Sequence, residues 1–249
     1  MARKSALRLW AVAFWLAVWQ AGSMAFDQAL LLPSPLAALA RLGELAVTGD
    51  FWRAVGWSSA RILGGFLLAC LAAVALAVPA FRWRWVRELL APLVAAVKAV
   101  PVASFIILAL VWLNSQSLSL FIAGLMVFPP VYLNVLAGIG QADQALLEMA
   151  RVFRVPLSRR LRGIYLPAVL PHFRAACSLG LGLCWKAGIA AEVIGLPNGS
   201  LGERLYTAKI YFQTADLFAW TAVIVALSLL FEKLFLLAVD TLTRKAGAL

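Results

Sequence analysis

Few side chains in this chain could do chemistry, and their spacing narrows the choice. The single histidine, His172, flanks an apolar run, so no imidazole cluster exists for a metal or for general-base work. It reads as a helix-end residue at an interface. The three cysteines, Cys70, Cys177 and Cys184, also sit in apolar runs, and an odd count without paired spacing is neither a disulfide framework nor a zinc site. Cys177 and Cys184 share a helix face, which points to packing. No G-x-x-x-x-G-K-[ST] loop is present, so the chain has no P-loop for ATP. What remains is Lys98, Lys186 and Glu192, three charges inside apolar stretches. At the centre of a membrane helix each costs about 2.5–3.5 kcal/mol. Such groups should face protein or a water-filled path. Either Lys98 or Lys186 offers positive charge to an anionic solute or pairs with Glu192, or the lysines are structural, with Lys98 near enough to its span end to snorkel. Lys186 and Glu192 are six residues apart and do not face each other along one helix.

The composition explains why charges are scarce. Of 249 residues, 64% are hydrophobic and 13% charged; ordinary globular domains carry about 25% charged residues. A soluble domain of this size has no interior for that much apolar surface. Disorder is excluded by the same richness. The net charge of +11 would suggest nucleic acid in a soluble protein. In a membrane protein it is the ordinary consequence of basic cytoplasmic loops, and no nucleic-acid module is visible.

The chain reads as all-α and polytopic. A span needs about 20 apolar residues to cross a hydrocarbon core of about 30 Å. Six stretches qualify: Leu9–Phe26, Ile62–Ala80, Pro92–Leu113, Leu118–Gly140, His172–Gly195 and Leu217–Val239. No run alternates with period two as barrel strands do. The N-terminus, the second and fourth connections and the C-terminal tail together hold thirteen Lys and Arg, among them Arg3, Lys4, Arg8, Arg82, Arg151, Arg160, Arg244 and Lys245. The opposite connections hold five: Arg41, Arg53, Arg61, Arg204 and Lys209. That asymmetry predicts both termini in the cytoplasm. Trp10, Trp83, Trp85, Trp112 and Trp220 fall near span ends, where indoles suit the interface. The first stretch, ending Ser23-Met24-Ala25, also fits a cleavable signal peptide, but its length and three tryptophans favour an uncleaved span.

Two connections position the rest. Residues 27–61 open with LLPSP and continue as an amphipathic helix on the extracytoplasmic surface. Residues 195–216 form a second excursion on that side, opened by a Pro197-Asn198-Gly199 turn. The cytoplasmic connection, residues 141–171, is predicted as a pair of short helices. Asp143 caps the first. Leu146, Met149, Ala150 and Phe153 form one apolar stripe, with Glu148, Arg151 and Arg154 on other faces. Pro156 interrupts, Leu157, Leu161 and Ile164 begin the second helix, and it stops before Pro167. Such a stripe suits either a groove on a partner protein or a lipid surface.

Here the residues carry a resemblance. Glu148-Met149-Ala150, then Arg154, then Ile164-Tyr165-Leu166-Pro167 resembles the EAA loop of binding-protein-dependent ABC importer permeases, E-A-A, three residues, G, nine residues, I-x-L-P. Met149 stands where that pattern has Ala and Arg154 where it has Gly. LPSP at Leu32–Pro35, Ser59–Phe66, Lys98-Ala99-Val100-Pro101, Phe128-Pro129-Pro130 and Ala190-Ala191-Glu192 resemble the landmarks of the nitrate/sulfonate/taurine/bicarbonate branch. The resemblance covers nearly the whole chain. It implies one permease domain over 1–249 with a methionine-importer-like fold, in the bacterial inner membrane. It also implies a second permease copy, two cytoplasmic ABC ATPase subunits and an extracytoplasmic solute-binding protein. Glu148, Met149, Ala150, Phe153, Arg154, Ile164, Leu166 and Pro167 would be its ATPase-coupling residues. At Arg154 a left-handed turn would cost an ordinary residue about 1–2 kcal/mol, so the turn is expected to be built differently.

The leading expectation is therefore a transport subunit without a catalytic, cofactor or metal site of its own, carrying a small anionic solute on energy from a partner chain. An autonomous secondary transporter would be expected to show inverted repeats, and none is visible. A membrane-embedded enzyme lacks a metal cluster or Ser/His/Asp set.

Overall fold

The computed structural model describes residues 9–26 and 31–247, and every regular element among them is helical. Arg3, Lys4 and Arg8 lie outside the described residues, as do positions 27–30 of the first connection.

Helix α1 (Leu9–Phe26) matches the first predicted span. At 1.5 Å per residue it is about 27 Å long, close to the hydrocarbon thickness. Helix α2 (Pro35–Ala46) is the expected amphipathic helix. Proline fits its first turn, and Ser34 Oγ accepts the Ala37 N–H at 3.1 Å. The rest of that connection is corrected. Thr48 caps a new helix, and α3 runs unbroken from Gly49 to Arg82, 34 residues. Residues 49–61 are thus the first turns of a long helix.

The third predicted span is also corrected. Pro92–Leu113 is not one rod. Helices α4 (Arg84–Ala99) and α5 (Val102–Ala109) meet at 107°. Pro101 has no N–H to continue the ladder and forces Val100 out of the helical region, to φ −81 and ψ 133. Helix α6 (Ser115–Gly140) shows the opposite outcome. Pro129 and Pro130 lie within it, and the Asn134 amide donates to the Pro130 carbonyl at 2.8 Å.

After the short α7 (Gln144–Val152), helix α8 (Leu157–Arg160) does not stop before Pro167. A π-helical turn at Leu161–Tyr165 carries it into α9 (Leu166–Gly195), making 39 continuous helical residues. Pro167 falls in the first turn of α9, and the widened turn behind it holds Gly163, whose carbonyl a regular helix would press against the ring. His172 is therefore interior to a helix rather than at its end. Helices α10 (Leu201–Ile210) and α11 (Thr214–Gly247) complete the chain. Among the described residues, four helical stretches are long and apolar enough to span a membrane, α3, α6, α8–α9 and α11, or five if the bent α4–α5 pair is one span; α1 is not among them, so six spans become four or five.

The core forms where α6 lies between α3 and α9, around Phe66, Val127, Val131, Cys177, Leu181 and Trp185. The α3–α6 crossing depends on Gly65, where a Cβ would lie 2.2 Å from the Leu120 carbonyl oxygen. Small residues allow this backbone approach, which drives helix association where lipid competes for apolar side chains. Trp220 was expected at an interface; instead it is buried and stacked on Phe51, ring centroids 5.2 Å apart. Overpacking of this kind costs about 1–3 kcal/mol or more, so Gly65→Leu should lower the thermal midpoint of the solubilised protein by several degrees. Gly43→Ala, inside α2 where a Cβ meets nothing within 4 Å, should leave it unchanged or raise it slightly, since alanine suits a helix interior better than glycine.

Candidate functional site

Helix α7 stands at the bundle end where α6 stops and α8–α9 begins. Asp143 fixes its start: Oδ1 accepts the Ala145 and Leu146 N–H groups at 2.8 and 3.4 Å. Its end is a Schellman turn, with Val155 N–H donating to the Ala150 carbonyl and Arg154 N–H to that of Arg151. The turn needs one left-handed residue, and Arg154 supplies it at φ 50. The expectation of a different turn is thus overturned: the glycine's conformation is kept although the glycine is not. Arg160 Nε donates to the Val155 carbonyl at 2.7 Å, securing the return into α8. On the other side, His172 Nε2 and Gln141 Oε1 are 2.9 Å apart, joining α9 to the end of α6.

The predicted stripe divides into two. Leu146, Met149 and Phe153 are exposed, Phe153 by 74%, and Val152 joins them. Ala150 is 2% exposed and faces the chain's own interior. Residues at i, i+3, i+4 and i+7 cover a wide arc, and here the body of the protein takes the edge that Ala150 occupies. Glu148 is exposed beside the apolar group. Of the second half of the motif, Ile164 is half-buried and Leu166 and Pro167 exposed at the start of α9. The Schellman turn and the Arg160 bond shape the chain that connects the two halves.

The three intramembrane charges separate. Lys98, in the last turn of α4, and Lys186, on α9, are both exposed. Neither meets Glu192, so that pairing is overturned. Glu192 is wholly buried, its Oε2 accepting Ser58 Oγ–H at 2.7 Å and the Gly202 N–H at 3.1 Å. Helix α10 is fixed against it, and Ser200, its N-cap, is buried too.

A second set of half-buried and exposed polar contacts lies between α9 and α11. Glu232 lies within the last span and accepts Ser178 Oγ–H at 2.6 Å, while Arg174 makes two hydrogen bonds to Asp240. These join α9 to α11. Glu232 was visible as a charge in an apolar run; Ser58 and Ser178, as serines in helices, carried no signal. At the α2 end, Arg41 bridges Asp216 and Glu44, and its hydrogen bonds to Asp216 and then Glu44 push its pKa above the ordinary value.

Because only glycine takes the left-handed region without cost, Arg154→Gly should slow exchange of the Val155 amide several-fold, about 1 kcal/mol of local stability. Arg154→Val should speed it; hydrogen-exchange mass spectrometry reads both.

A family model described as binding-protein-dependent transport system inner membrane component matches residues 36–247. SsuC of Escherichia coli (strain K12), assigned to aliphatic sulfonates transport, is 30% identical over 80% of this chain and 76% of its own. The taurine transport system permease protein TauC of the same organism is 27% identical over 93% of this chain and 86% of its own. The riboflavin transport system permease protein RibX of Chloroflexus aurantiacus is 29% identical over 86% and 80%. Helices of spanning length and a match over almost the whole described chain lead to one assignment: the protein belongs to the inner membrane components of binding-protein-dependent transport systems, the permease subunits of ABC importers.

Proposed function

We propose that this permease forms half of the pathway of an importer for a small anionic solute, with α7 as the helix through which ATP hydrolysis in a partner subunit reaches the membrane. The observation that carries the reading is the exposed Leu146, Met149, Val152 and Phe153 on a helix capped rigidly at both ends. An apolar cluster on a short, rigid helix outside the spans suits insertion into a groove. Membership of the family supplies the partners, an ATPase and an extracytoplasmic binding protein; two permease copies and two ATPases are the proposed stoichiometry. The basic residues around α7 and around the α3–α4 elbow support a cytoplasmic placement of this end and of both termini.

Anion transport is supported by the sulfonate group shared by the solutes named for SsuC and TauC and by Lys186. This lysine is exposed between buried Trp185 and Ala187 in a spanning helix, and no carboxylate pairs with it among the described residues. A second copy across α9 would place it on a shared pathway, offering its ammonium to the solute. Lys98 lies at the α4 end next to the Pro101 break, within reach of the interface by snorkelling. RibX names a solute that is not a small anion, so Lys186 rather than kinship bears the charge argument.

The exposed anchors, not Ala150, test the coupling role. Phe153→Ala and Met149→Asp should leave the permease folded and cut ATPase co-purification and uptake about tenfold or more, as removal of buried anchors does. Full association and uptake in both would overturn the assignment. Orientation is read separately. Val47→Cys, 85% exposed in the wild type, should react with an impermeant maleimide in intact cells, and Ser158→Cys only after lysis. The reverse pattern would invert the topology.

A further inference from the structure

Glu192 is the only charged side chain among the wholly buried polar residues described. Four elements meet at it. It stands on α9; Ser58 comes from α3, and the Gly202 N–H is a free donor at the start of α10. Ser58 Oγ in turn accepts the Leu201 N–H at 2.9 Å, so one hydroxyl links the carboxylate to the neighbouring donor of α10. Ser119 of α6 is buried close to the same carboxylate, and neither its Oγ nor Glu192 Oε1 has a hydrogen-bond partner. Arg61, one turn beyond Ser58, acts on the carboxylate through space without an ion pair. Approach this close requires Gly202, where a Cβ would lie 2.3 Å from the Glu192 Cβ.

A buried carboxylate contributes little to stability that apolar packing could not supply. What it contributes is direction. Hydrogen bonds to the first amides of a helix, reinforced by the helix dipole, hold that helix in one position only. We propose that Glu192 is a positioning residue for transport: it ties α10 across the ends of α3, α6 and α9 and so sets the shape of the pathway mouth on the side where solute is delivered. This rests on the importer reading above for its consequence in transport; the tie itself does not depend on it.

The charge is needed less than the acceptor. A glutamine at 192 can accept from Ser58 and Gly202 through its oxygen and donate to Ser119 through its amide. The test uses the permease–ATPase complex in nanodiscs for hydrogen exchange and in proteoliposomes with its binding protein for uptake, with taurine as probe. Glu192→Ala should raise exchange of the α10 amides about tenfold or more, leave the amides of α7 and the ATPase content unchanged, and lower taurine uptake by a similar factor. Glu192→Gln should restore both towards wild type. A merely structural role would instead loosen all helices together, with no selective change in α10. Unchanged α10 exchange in Glu192→Ala, or a glutamine variant as impaired as the alanine one, would overturn the proposal. Should Glu192→Ala fail to assemble, Ser58→Ala decides: loss of one hydroxyl should still raise exchange at Leu201 and Gly202 several-fold. If the wild type takes up no taurine, taurine is not its solute, uptake is read with an alkanesulfonate instead, and the exchange measurements still decide the tie.

Discussion

Hydrocarbon offers no hydrogen-bond partner, and most of this structure follows from that constraint. Every backbone donor and acceptor inside the bilayer must be satisfied by the chain itself. The long helices do this along most of their length. The informative places are where a ladder is interrupted. Pro101 is met by a corner and Pro167 by a π-helical turn, while α6 carries Pro129 and Pro130 without ending. The same constraint governs side chains. The buried Glu192 is tolerated because it receives a hydroxyl and a helix-terminal amide, and Glu232 because Ser178 donates to it.

Close backbone packing supplies what apolar burial cannot. Between helices in lipid, leucine gains little by leaving one apolar neighbour for another, so association depends on shape. Gly65 lets α3 rest on the α6 backbone, and Gly202 lets α10 rest on α9. The central helix α6 thereby links the α7 end of the bundle to the Glu192 end. Movement at one end would have to pass through a core of packed side chains that has little room to deform.

Three helices end with an ordinary residue in the left-handed region: Arg154, Leu196 and Phe212, at φ 50, 49 and 54. All three stand just outside the spans, where a tight reversal is required. At Arg154 the cost is offset by two Schellman hydrogen bonds and by the Arg160 bond to Val155. The turn that presents Phe153 is therefore determined by hydrogen bonding rather than by the residue at its apex.

The helical membrane class, the approximate number of apolar stretches, the cap at Asp143 and a short amphipathic helix after it were legible in the residues alone. These are local properties: hydropathy over a window, a side chain three residues from an amide, a motif with fixed spacing. The inward face of Ala150, the fusion of α8 with α9, the bend of the third span at Pro101 and the pairing of Glu192 with Ser58 and Gly202 emerge only in the folded chain. The physical reason is that each of these depends on what lies across a helix–helix contact. A proline can bend a helix, sit in its first turn or be absorbed, as Pro101, Pro167 and Pro130 do in turn. The local sequence is compatible with all three, and neighbours far along the chain select one.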